Sequence, residues 1–267
     1  MSDFLARDDA PLSADDWSAI DKAVVESAKK RLVGRKFIDI TGPLGVGTQM
    51  VQLSRLGIED DRWSVKERLN LNIPIIYEDF KLAWRDIESA KQYHIPLELG
   101  PAAVASAMCA KKEDELIFIG DEKNGIQGLL NAKESNSIKA LDWNENGNGF
   151  QNVVSAVGKL TDDGFYGPYA LVTSVSLYAL LHRVYGTTGT LEIMMIRELV
   201  TDGVFQSSLL KGNSAILVAT GHENLDLVIA QDLITAYLGP EGMDQLFRVF
   251  ESIVLRIKRP KSICVFK

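Results

Sequence analysis

The chain has 267 residues, 46% of them apolar, and a formal net charge of −7. This length supplies a sizeable core in one large or two modest domains, and the acidic balance argues against a protein built to coat nucleic acid. No apolar run approaches the roughly 20 residues that cross a bilayer, and the polar start of the chain lacks the apolar stretch of a secretory signal. Cys109 and Cys264 are the two cysteines, so buried thiols are favoured over a disulfide framework. We expect a soluble, acidic protein of the cytoplasm, with neither a membrane nor a nucleic acid as partner.

The first predicted element is a helix that begins after Ser13. Ser13 and Asp16 have the spacing of a capping box, in which each residue caps the other. An apolar stripe with helical spacing follows, formed by Trp17, Ile20, Val24, Ala28 and Leu32. We expect this stripe to be a core or interface seam, and we expect Gly34 to end the helix in the usual position after the C-cap.

The segment that follows Gly34 predicts a strand with an unusual face. Because side chains alternate in a strand, Arg35, Phe37 and Asp39 would share one face. Four residues of strand span about 13 Å at roughly 3.3 Å each, a spacing at which Arg35 and Asp39 would grip a short extended peptide. The alternative left open by composition is an ordinary amphipathic strand at the edge of a sheet.

Residues 42–72 differ from the chain around them. Glycine and proline interrupt the beginning of this segment, and the remainder is polar with weak alternation. A long, poorly cored extension is unusual inside a compact protein, which favours an arm that packs on a neighbouring subunit. Beyond it, Phe80, Leu82 and Trp84 alternate on one face of a predicted strand, and residues 97–119 predict a long helix that ends before Gly120.

The second half of the chain alternates between strand and helix signals. Asn148 is a candidate helix cap, followed by apolar positions at Phe150, Val153, Val154, Val157 and Leu160. A strand is predicted at 169–172, and Ser174 is predicted to cap a helix over 175–184. A loop at 185–189 and a helix at 191–200 follow.

The last third of the chain is rich in predicted strands. Alternating apolar residues begin at Leu225 and continue to Ile257, Pro260 ends this region, and residues 263–266 form a final short strand. The order of elements is that of an α+β protein, without the βαβ rhythm of a nucleotide-binding enzyme.

A search for catalytic chemistry finds no constellation. His94, His182 and His222 are scattered, without the spacing of metal ligands. The glycine-rich segment 42–47 lacks the lysine of a phosphate-binding loop, and no nucleophile-elbow pattern is present. The acidic run 113–115 lies on a predicted helix, where a solvated face is expected. We therefore predict a protein that is not an enzyme and that holds no metal.

Several sequence blocks, in the right order along nearly the full length, resemble the encapsulins. These are the bacterial and archaeal shell proteins of protein nanocompartments, in the family of linocin-type bacteriocins. The matching blocks are residues 10–12 with Trp17, 34–37, 42–43, 114–118 with Gly120, 125–129, 167–171 and 231–233. Any one of these blocks would be weak, whereas the ordered set is specific. The stretches 238–249 and 255–260 are most similar to encapsulins of larger iron-storing shells.

The resemblance implies an α+β chain with the major capsid fold of tailed phages, the fold of phage Hong Kong 97. It divides the chain into an N-terminal helix and start of the peripheral domain (1–41), an E-loop (42–72), a peripheral domain with its spine helix (73–121), an axial domain (122–222) and a β-rich closing section of the peripheral domain (223–267). In this fold the E-loop reaches over neighbouring subunits.

The implied function is that of a self-assembling, non-enzymatic shell in the cytoplasm. Many copies would form an icosahedral nanocompartment around a cargo enzyme, such as an iron-storing ferritin-like protein or a peroxidase. In encapsulins the N-terminal helix and adjoining strands bind a short targeting peptide carried by the cargo. The matching positions in this chain are Ala28, Leu32, Arg35, Asp39, Asp232 and Leu233.

Two further positions follow from the resemblance. A loop would line the five-fold pore and pass ions or small molecules with little electrostatic selection; it comprises Tyr185, Gly186, Thr187, Thr188 and Gly189. An ordinary exposed loop is the alternative. Trp84 matches the position at which some relatives hold a flavin, although packing within a strand is the favoured role, and no other cofactor is expected.

Two other function classes compete with the cargo shell. A viral major capsid protein of the same fold would package a genome, but the acidic balance and the candidate peptide groove favour the shell. An enzyme such as a protease is the third hypothesis, and the sequence offers no residue that would serve as its catalytic group.

Overall fold

The structure, a computed structural model, describes residues 3–59 and 61–267. Its α-helices in these residues are α1 (Ala14–Arg31), α2 (Trp84–Tyr93), α3 (Gly100–Phe118), α4 (Asn148–Asp162), α5 (Val175–Leu180) and α6 (Glu192–Leu199). The strands are β1 (Ile40–Thr41), β2 (Met50–Glu59), β3 (Arg62–Asn72), β4 (Ile75–Leu82), β5 (Gly120–Asp121), β6 (Ile126–Gln127), β7 (Asn136–Ile138), β8 (Tyr169–Thr173), β9 (Val204–Gln206), β10 (Ala215–Ala219), β11 (Leu225–Glu241), β12 (Asp244–Ile257) and β13 (Ile263–Phe266).

A four-stranded sheet in the order β1-β11-β12-β4 carries the larger core. The ring of Trp17 on α1 meets Phe247 on β12 edge to face, with centroids 5.7 Å apart. Cys109 on α3 donates from its thiol to the carbonyl of Val249, at 3.4 Å. Both helices therefore pack against β12. Cys109 and Cys264 are free and buried, which confirms the prediction of two buried thiols.

The N-terminal helix matches its prediction closely at its start. The backbone N–H of Asp16 donates to Ser13 Oγ at 3.2 Å, and the Ser13 N–H donates to the Asp16 carboxylate at 2.9 Å. The whole predicted stripe from Trp17 to Leu32 is buried. At the other end the prediction for Gly34 is wrong, because the helix ends at Arg31 with Leu32 as its C-cap. Gly34 is needed for close packing instead, since a Cβ there would lie 2.5 Å from the Ile117 side chain.

The strand predicted after Gly34 is also largely absent. Residues Gly34–Lys36 form a short 3₁₀ helix, and strand geometry begins only at Ile40, where β1 pairs in parallel with β11. Phe37 and Ile38 are both buried, so the expected alternation of faces is wrong. The Phe37 ring stacks on Phe205 with centroids 5.9 Å apart, and this contact with a distant segment turns the chain away from an extended path.

Strands β2 and β3 form a two-stranded sheet of their own, the β2–β3 hairpin. Near its base, Leu53 is buried and Leu71 packs against the larger core. A register shift follows Arg55, and an irregularity of this kind moves the apolar side chains to the other face of the hairpin. Beyond it, Ile58 and Trp63 are paired and exposed. This arrangement agrees with an arm that contacts another subunit, and that contact stays a prediction.

A five-stranded sheet in the order β7-β13-β10-β8-β9 forms the second layer, with its own core beneath α4 and α6. The helix predicted after Ser174 begins as expected, since Ser174 Oγ accepts the Leu177 N–H at 3.3 Å, but it ends at Leu180. Asn148 is the first residue of α4, and Gly147 takes the N-cap position. Strand β13 belongs to this sheet, so the end of the chain returns to the second layer.

Candidate functional site

Three of the predicted docking residues form a small apolar cluster apart from the larger core. Ala28 of α1 and Leu32, the C-cap of that helix, lie one turn apart and pack with Ala110 of α3 and the half-buried Leu233 of β11. Sequence reasoning had no signal for Ala110, because the approach of α3 to α1 depends on tertiary packing. The exposed part of Leu233 is the accessible edge of this cluster.

Arg35 connects this cluster to two buried carboxylates. Its Nε and Nη2 donate to the two Glu113 oxygens at 2.7 and 2.8 Å, and Nη2 also donates to Glu251 Oε2 at 2.7 Å. Its Nη1 donates to Asp232 Oδ1 at 2.7 Å. The side chains of Glu113 and Glu251 are 1% exposed, whereas that of Asp232 is 58% exposed. The expectation of a solvated acidic face at 113–115 is therefore wrong for Glu113.

The electrostatics of this cluster follow from burial and from the proximity of the two glutamates. Burial raises the pKa of Glu251 well above its ordinary value, and the charge of Glu113 raises it further, against the opposing charge of Arg35. Burial alone would lower the pKa of Arg35, but the hydrogen bonds and charges of Glu113 and Glu251 outweigh it, so the pKa is raised. The guanidinium is therefore permanently charged, and Glu251 favours its neutral form.

Asp114 holds the turn that carries Arg35. Its carboxylate accepts the backbone N–H groups of Val33 and Gly34 at 2.9 to 3.2 Å. Burial raises the pKa of Asp114 to about 7, because it outweighs these two backbone hydrogen bonds, and the neighbouring charge of Glu113 acts in the same direction. Asp114 was likewise expected on a solvated face, and it is buried.

Asp114→Asn should flatten the dependence of stability on pH. A carboxyl whose folded pKa is raised from 3.8 to about 7 contributes stability below pH 3.8 that is lost as the pH rises towards 7. Over that interval the native free energy of unfolding should fall, relative to the variant, on the order of 4 kcal/mol. Urea unfolding at fixed protein concentration between pH 4 and 8 measures this, with exposed Glu115→Gln on the same helix as control. If the free energy of unfolding depends on pH in the same way for the native protein and Asp114→Asn, the raised pKa of Asp114 is contradicted.

Asp39 lies away from the other predicted docking residues. Its side chain is exposed, and its carbonyl accepts the Leu227 N–H at 2.8 Å. Leu227 precedes Asp232 by five residues on β11, a separation of roughly 16 Å along a strand. The structure thus brings together Ala28, Leu32, Arg35, Asp232 and Leu233, and places Asp39 beside the Leu227 end of β11.

The predicted pore loop is an exposed tip with a braced base. Asn146 donates from Nδ2 to the Val184 carbonyl at 2.7 Å and accepts the Gly186 N–H at 2.9 Å. The Tyr185 ring packs on Phe150, with centroids 5.6 Å apart, so it is half-buried, while the rest of the loop is exposed. Whether this loop lines a pore stays a prediction.

The prediction for Trp84 as part of a strand face is wrong. Strand β4 ends at Leu82, and Trp84 is the first residue of α2, where its backbone N–H donates to Asp244 at 3.2 Å. The Arg85 guanidinium lies 5.5 Å from the centroid of the Trp84 ring and would compete with a stacked flavin. Flavin binding at this position stays a prediction.

Metal-ligand and membrane features were also sought in residues 3–59 and 61–267. Across these ranges, no group of three or more His, Cys, Asp or Glu side chains is arranged to hold a metal ion. No helix in the same part of the chain combines the length and apolar character that a membrane span requires.

Comparison with known proteins identifies the family. The Linocin_M18 family model, described as an encapsulating protein for peroxidase, matches residues 1–254. The chain belongs to this encapsulin family. It is 43% identical over 279 residues to the type 1 encapsulin shell protein EncA of Myxococcus xanthus (strain DK1622), an alignment that covers 100% of this chain and 97% of the relative. It is equally identical, over 269 residues, to a diheme-cytochrome–encapsulin shell fusion protein of Kuenenia stuttgartiensis, covering 96% of this chain and 74% of the fusion.

The solved structures that resemble this encapsulin establish its fold. A virus-like particle from Pyrococcus furiosus superposes with a TM-score of 0.81 at 22% identity, covering 94% of this chain and 99% of the other. The capsid of Myoviridae phage XM1 superposes with a TM-score of 0.66 at 12% identity, covering 86% and 88%. The predicted fold, an α+β chain of the tailed-phage capsid type, is confirmed.

Proposed function

We propose that this chain is the repeating subunit of an encapsulin shell, a cytoplasmic compartment in which many copies enclose cargo proteins. The observation that carries this proposal is the family match over residues 1–254. The viral alternative has weaker support, since the phage capsid shares 12% identity and thus the fold alone, whereas the encapsulin shell protein shares 43% over the full chain. In this proposal the shell performs no reaction, and chemistry belongs to the cargo.

We propose that cargo docks on a surface formed by Ala28, Leu32, Arg35, Asp232 and Leu233, here called the docking groove. An extended peptide with alternating apolar residues suits a partly exposed apolar cluster beside a carboxylate. The cluster of Ala28, Leu32 and Leu233 supplies the apolar part, and Asp232 supplies an exposed acceptor. Asp39 would contact only a peptide long enough to follow β11 beyond the groove.

A ferritin-like protein that stores iron, or a peroxidase, is the cargo we propose. The family description names a peroxidase, and the Kuenenia relative joins a shell to a diheme cytochrome in one chain. Iron-storing ferritin-like proteins and peroxidases both carry out redox reactions, so either cargo would need ions or small molecules from outside the shell. The exposed loop at 185–189, whose residues carry no charge, would supply a passage if it meets its copies at a five-fold axis.

Cryo-EM of the protein co-expressed with ferritin-like and peroxidase candidates from neighbouring genes tests the proposal. Closed shells with cargo density attached near the docking groove are expected. Monomers or small oligomers throughout would contradict the shell function. Nuclease-resistant nucleic acid inside purified particles would favour the viral alternative instead.

Leu233→Ser should separate cargo capture from shell assembly. Burying a leucine side chain contributes about 1.5–3 kcal/mol, so its loss should lower the affinity for a docked peptide roughly tenfold or more. Leu238→Ser is the matched control, because Leu238 is an exposed leucine on the same strand. The ratio of cargo to shell protein in purified particles, with particle size by microscopy, is the measurement. Equal loading by both variants would refute the groove.

A further inference from the structure

Two buried glutamates converge on one cation behind the docking groove. Glu113 from α3 and Glu251 from β12 both accept hydrogen bonds from the Arg35 guanidinium, which is their shared partner. Both carboxyl groups are almost completely buried. The sequence separates the three residues by 78 and 216 positions, so no sequence motif indicates this arrangement.

The charges around this pair do not balance if both glutamates are ionised. The charged and titratable groups near it are Arg35 and Lys36 on the turn after α1, Cys109, Lys112 and Asp114 on α3, Glu78 on β4, and Asp232 on β11. Lys112 is engaged by Glu78 at 2.8 Å, and Lys36 is exposed. Arg35 is therefore the one cation in contact with the pair among the described residues. Two buried anions against one buried cation would leave an uncompensated charge.

One oxygen atom is suited to hold a proton. Glu251 Oε1 is buried without a hydrogen-bond donor among the described residues, whereas Oε2 accepts from Arg35. A proton on Oε1 would turn that atom into a donor, and its acceptor would be Glu113, whose side-chain hydrogen bond with Glu251 is one of the causes that raise the pKa of Glu251. Glu113, with both oxygens on the guanidinium, then remains the anion of a neutral, bidentate pair with Arg35.

We propose that Glu113 and Glu251 are positioning residues of the docking groove, which share one proton and so hold Arg35 where it presents Asp232 to the peptide. This inference rests on the docking groove proposed above. It also changes the role of Arg35, since four of its five N–H donors are already used within the subunit. The peptide would contact Asp232 rather than the guanidinium.

The geometry of Asp232 defines the chemistry of the ligand. Its Oδ1 accepts both from Arg35 and from the Leu233 N–H at 2.8 Å. Oδ2 is thus the acceptor that remains for a ligand, next to the apolar edge of Leu233. The partner expected here is a peptide that places an N–H group or a cationic side chain beside an apolar residue.

The shared proton predicts a pH dependence in one direction. A carboxyl with a raised folded pKa contributes stability that is complete below its unfolded pKa and is lost as the pH rises through the folded pKa. The raised pKa of Glu251 therefore predicts that the free energy of unfolding falls as the pH rises from the ordinary pKa of a glutamate through the folded pKa of Glu251. Glu251→Gln keeps the shape of the side chain and removes its ionisation, so it should remove this contribution to the loss.

Infrared spectroscopy of purified particles detects the proton without any cargo. At neutral pH the native protein should show the carbonyl stretch of protonated carboxyl groups, and Glu251→Gln should reduce it. Asp114→Asn identifies the contribution of the other buried carboxyl group whose pKa is raised, and Glu115→Gln controls for the substitution itself. Urea unfolding from about pH 4 upward should show a decline in the stability of the native protein that is smaller in Glu251→Gln.

Cargo loading provides the second arm of the test. Glu113→Gln combined with Glu251→Gln leaves Arg35 without a buried anion, and loading should fall roughly tenfold or more. A double variant that loads like native protein, or an infrared band that Glu251→Gln leaves unchanged, would overturn the inference. If the band behaves as expected but Leu233→Ser loads normally, the shared proton stands and the docking groove is the part that fails.

Discussion

Arg35→Ala is expected to lower the free energy of unfolding by about 3–5 kcal/mol, since removing one partner of a buried ion pair leaves an uncompensated charge. The charge left behind is that of Glu113, which is buried and has both oxygens on the guanidinium. Guanidinium chloride unfolding of the native protein and the variant at neutral pH measures this loss.

Arg248→Ala is the matched control for this substitution. Arg248 also forms a bidentate pair, with Asp79 at 2.7 and 2.9 Å, but the side chains of both partners are about one third exposed. Exposed pairs contribute up to about 1 kcal/mol, so Arg248→Ala should be mild. Equal losses for the two variants would contradict the buried cluster. If Arg35→Ala greatly lowers the free energy of unfolding, Leu233→Ser is the cleaner test of cargo docking, because it leaves the charged cluster of Arg35, Glu113 and Glu251 intact.

Local signals account for the elements that sequence reasoning predicted well. The capping box at Ser13 and the stripe from Trp17 to Leu32 depend on spacings of three and four residues. The helix α1 can therefore be predicted without knowledge of any distant contact. The same holds for the helix over Gly100–Phe118, where Pro101 stands in the first turn and the long run after it has no helix breaker before Gly120. In these segments propensity and tertiary structure agree.

The segment after α1 shows why other predictions were wrong. Its alternation favoured a strand, yet its path is fixed by Asp114, about 80 positions away, and by Phe205. Contacts between residues so far apart in the sequence produce no periodic pattern in it. In this segment these contacts override the local alternation that favoured a strand. Glu113 was missed for the same reason, because an acidic residue on a helix is ordinarily solvated unless a buried cation such as Arg35 reaches it.

The proposed docking residues also include some that sequence patterns indicate and others that only the folded chain reveals. Their positions came from a family resemblance, and the structure brings Ala28, Leu32 and Leu233 into contact. It adds Glu251, which no spacing in the sequence connects to the groove, and it separates Asp39 from it. A resemblance thus suggested the proposed docking groove, while the partners that set the charge of Arg35 could be found only in the folded chain.

Asp226→Ala should affect both stability and assembly, because Asp226 anchors the base of the β2–β3 hairpin. Asp226 is fully buried and accepts from Thr41 Oγ1 at 2.6 Å and from Arg256 Nε and Nη2 at 2.9 and 2.5 Å. Arg256 in turn donates to the Gln52 carbonyl within the hairpin at 3.0 Å, and Lys258 lies 3.4 Å from Asp226. Thr41 ends β1, directly before the extension begins. One carboxylate therefore fixes both the entry to the extension and the hairpin itself.

The expected loss of unfolding free energy for Asp226→Ala is about 3–5 kcal/mol, as for other broken buried ion pairs. Burial alone would raise the pKa of Asp226, but the hydrogen bonds from Arg256 and Thr41 outweigh it and lower the pKa. The contribution of a carboxyl with a lowered pKa is complete above its unfolded pKa and is lost as the pH falls through the folded pKa. The difference between native and variant should thus be full at neutral pH and shrink only in strong acid.

Assembly separates the anchor from a general loss of stability. If the hairpin is an arm that contacts neighbouring subunits, Asp226→Ala should reduce the yield of closed particles under conditions where the subunit is still folded, as judged by circular dichroism and size-exclusion chromatography. Asp79→Ala, which breaks an exposed pair on the same sheet, is the control and should assemble normally. Thr41→Val removes only one hydrogen bond and should give an intermediate yield. Normal yields of closed particles from folded Asp226→Ala would contradict the role of Asp226 as an anchor. The hairpin would then keep its position although Arg256 and Lys258 had lost their buried partner.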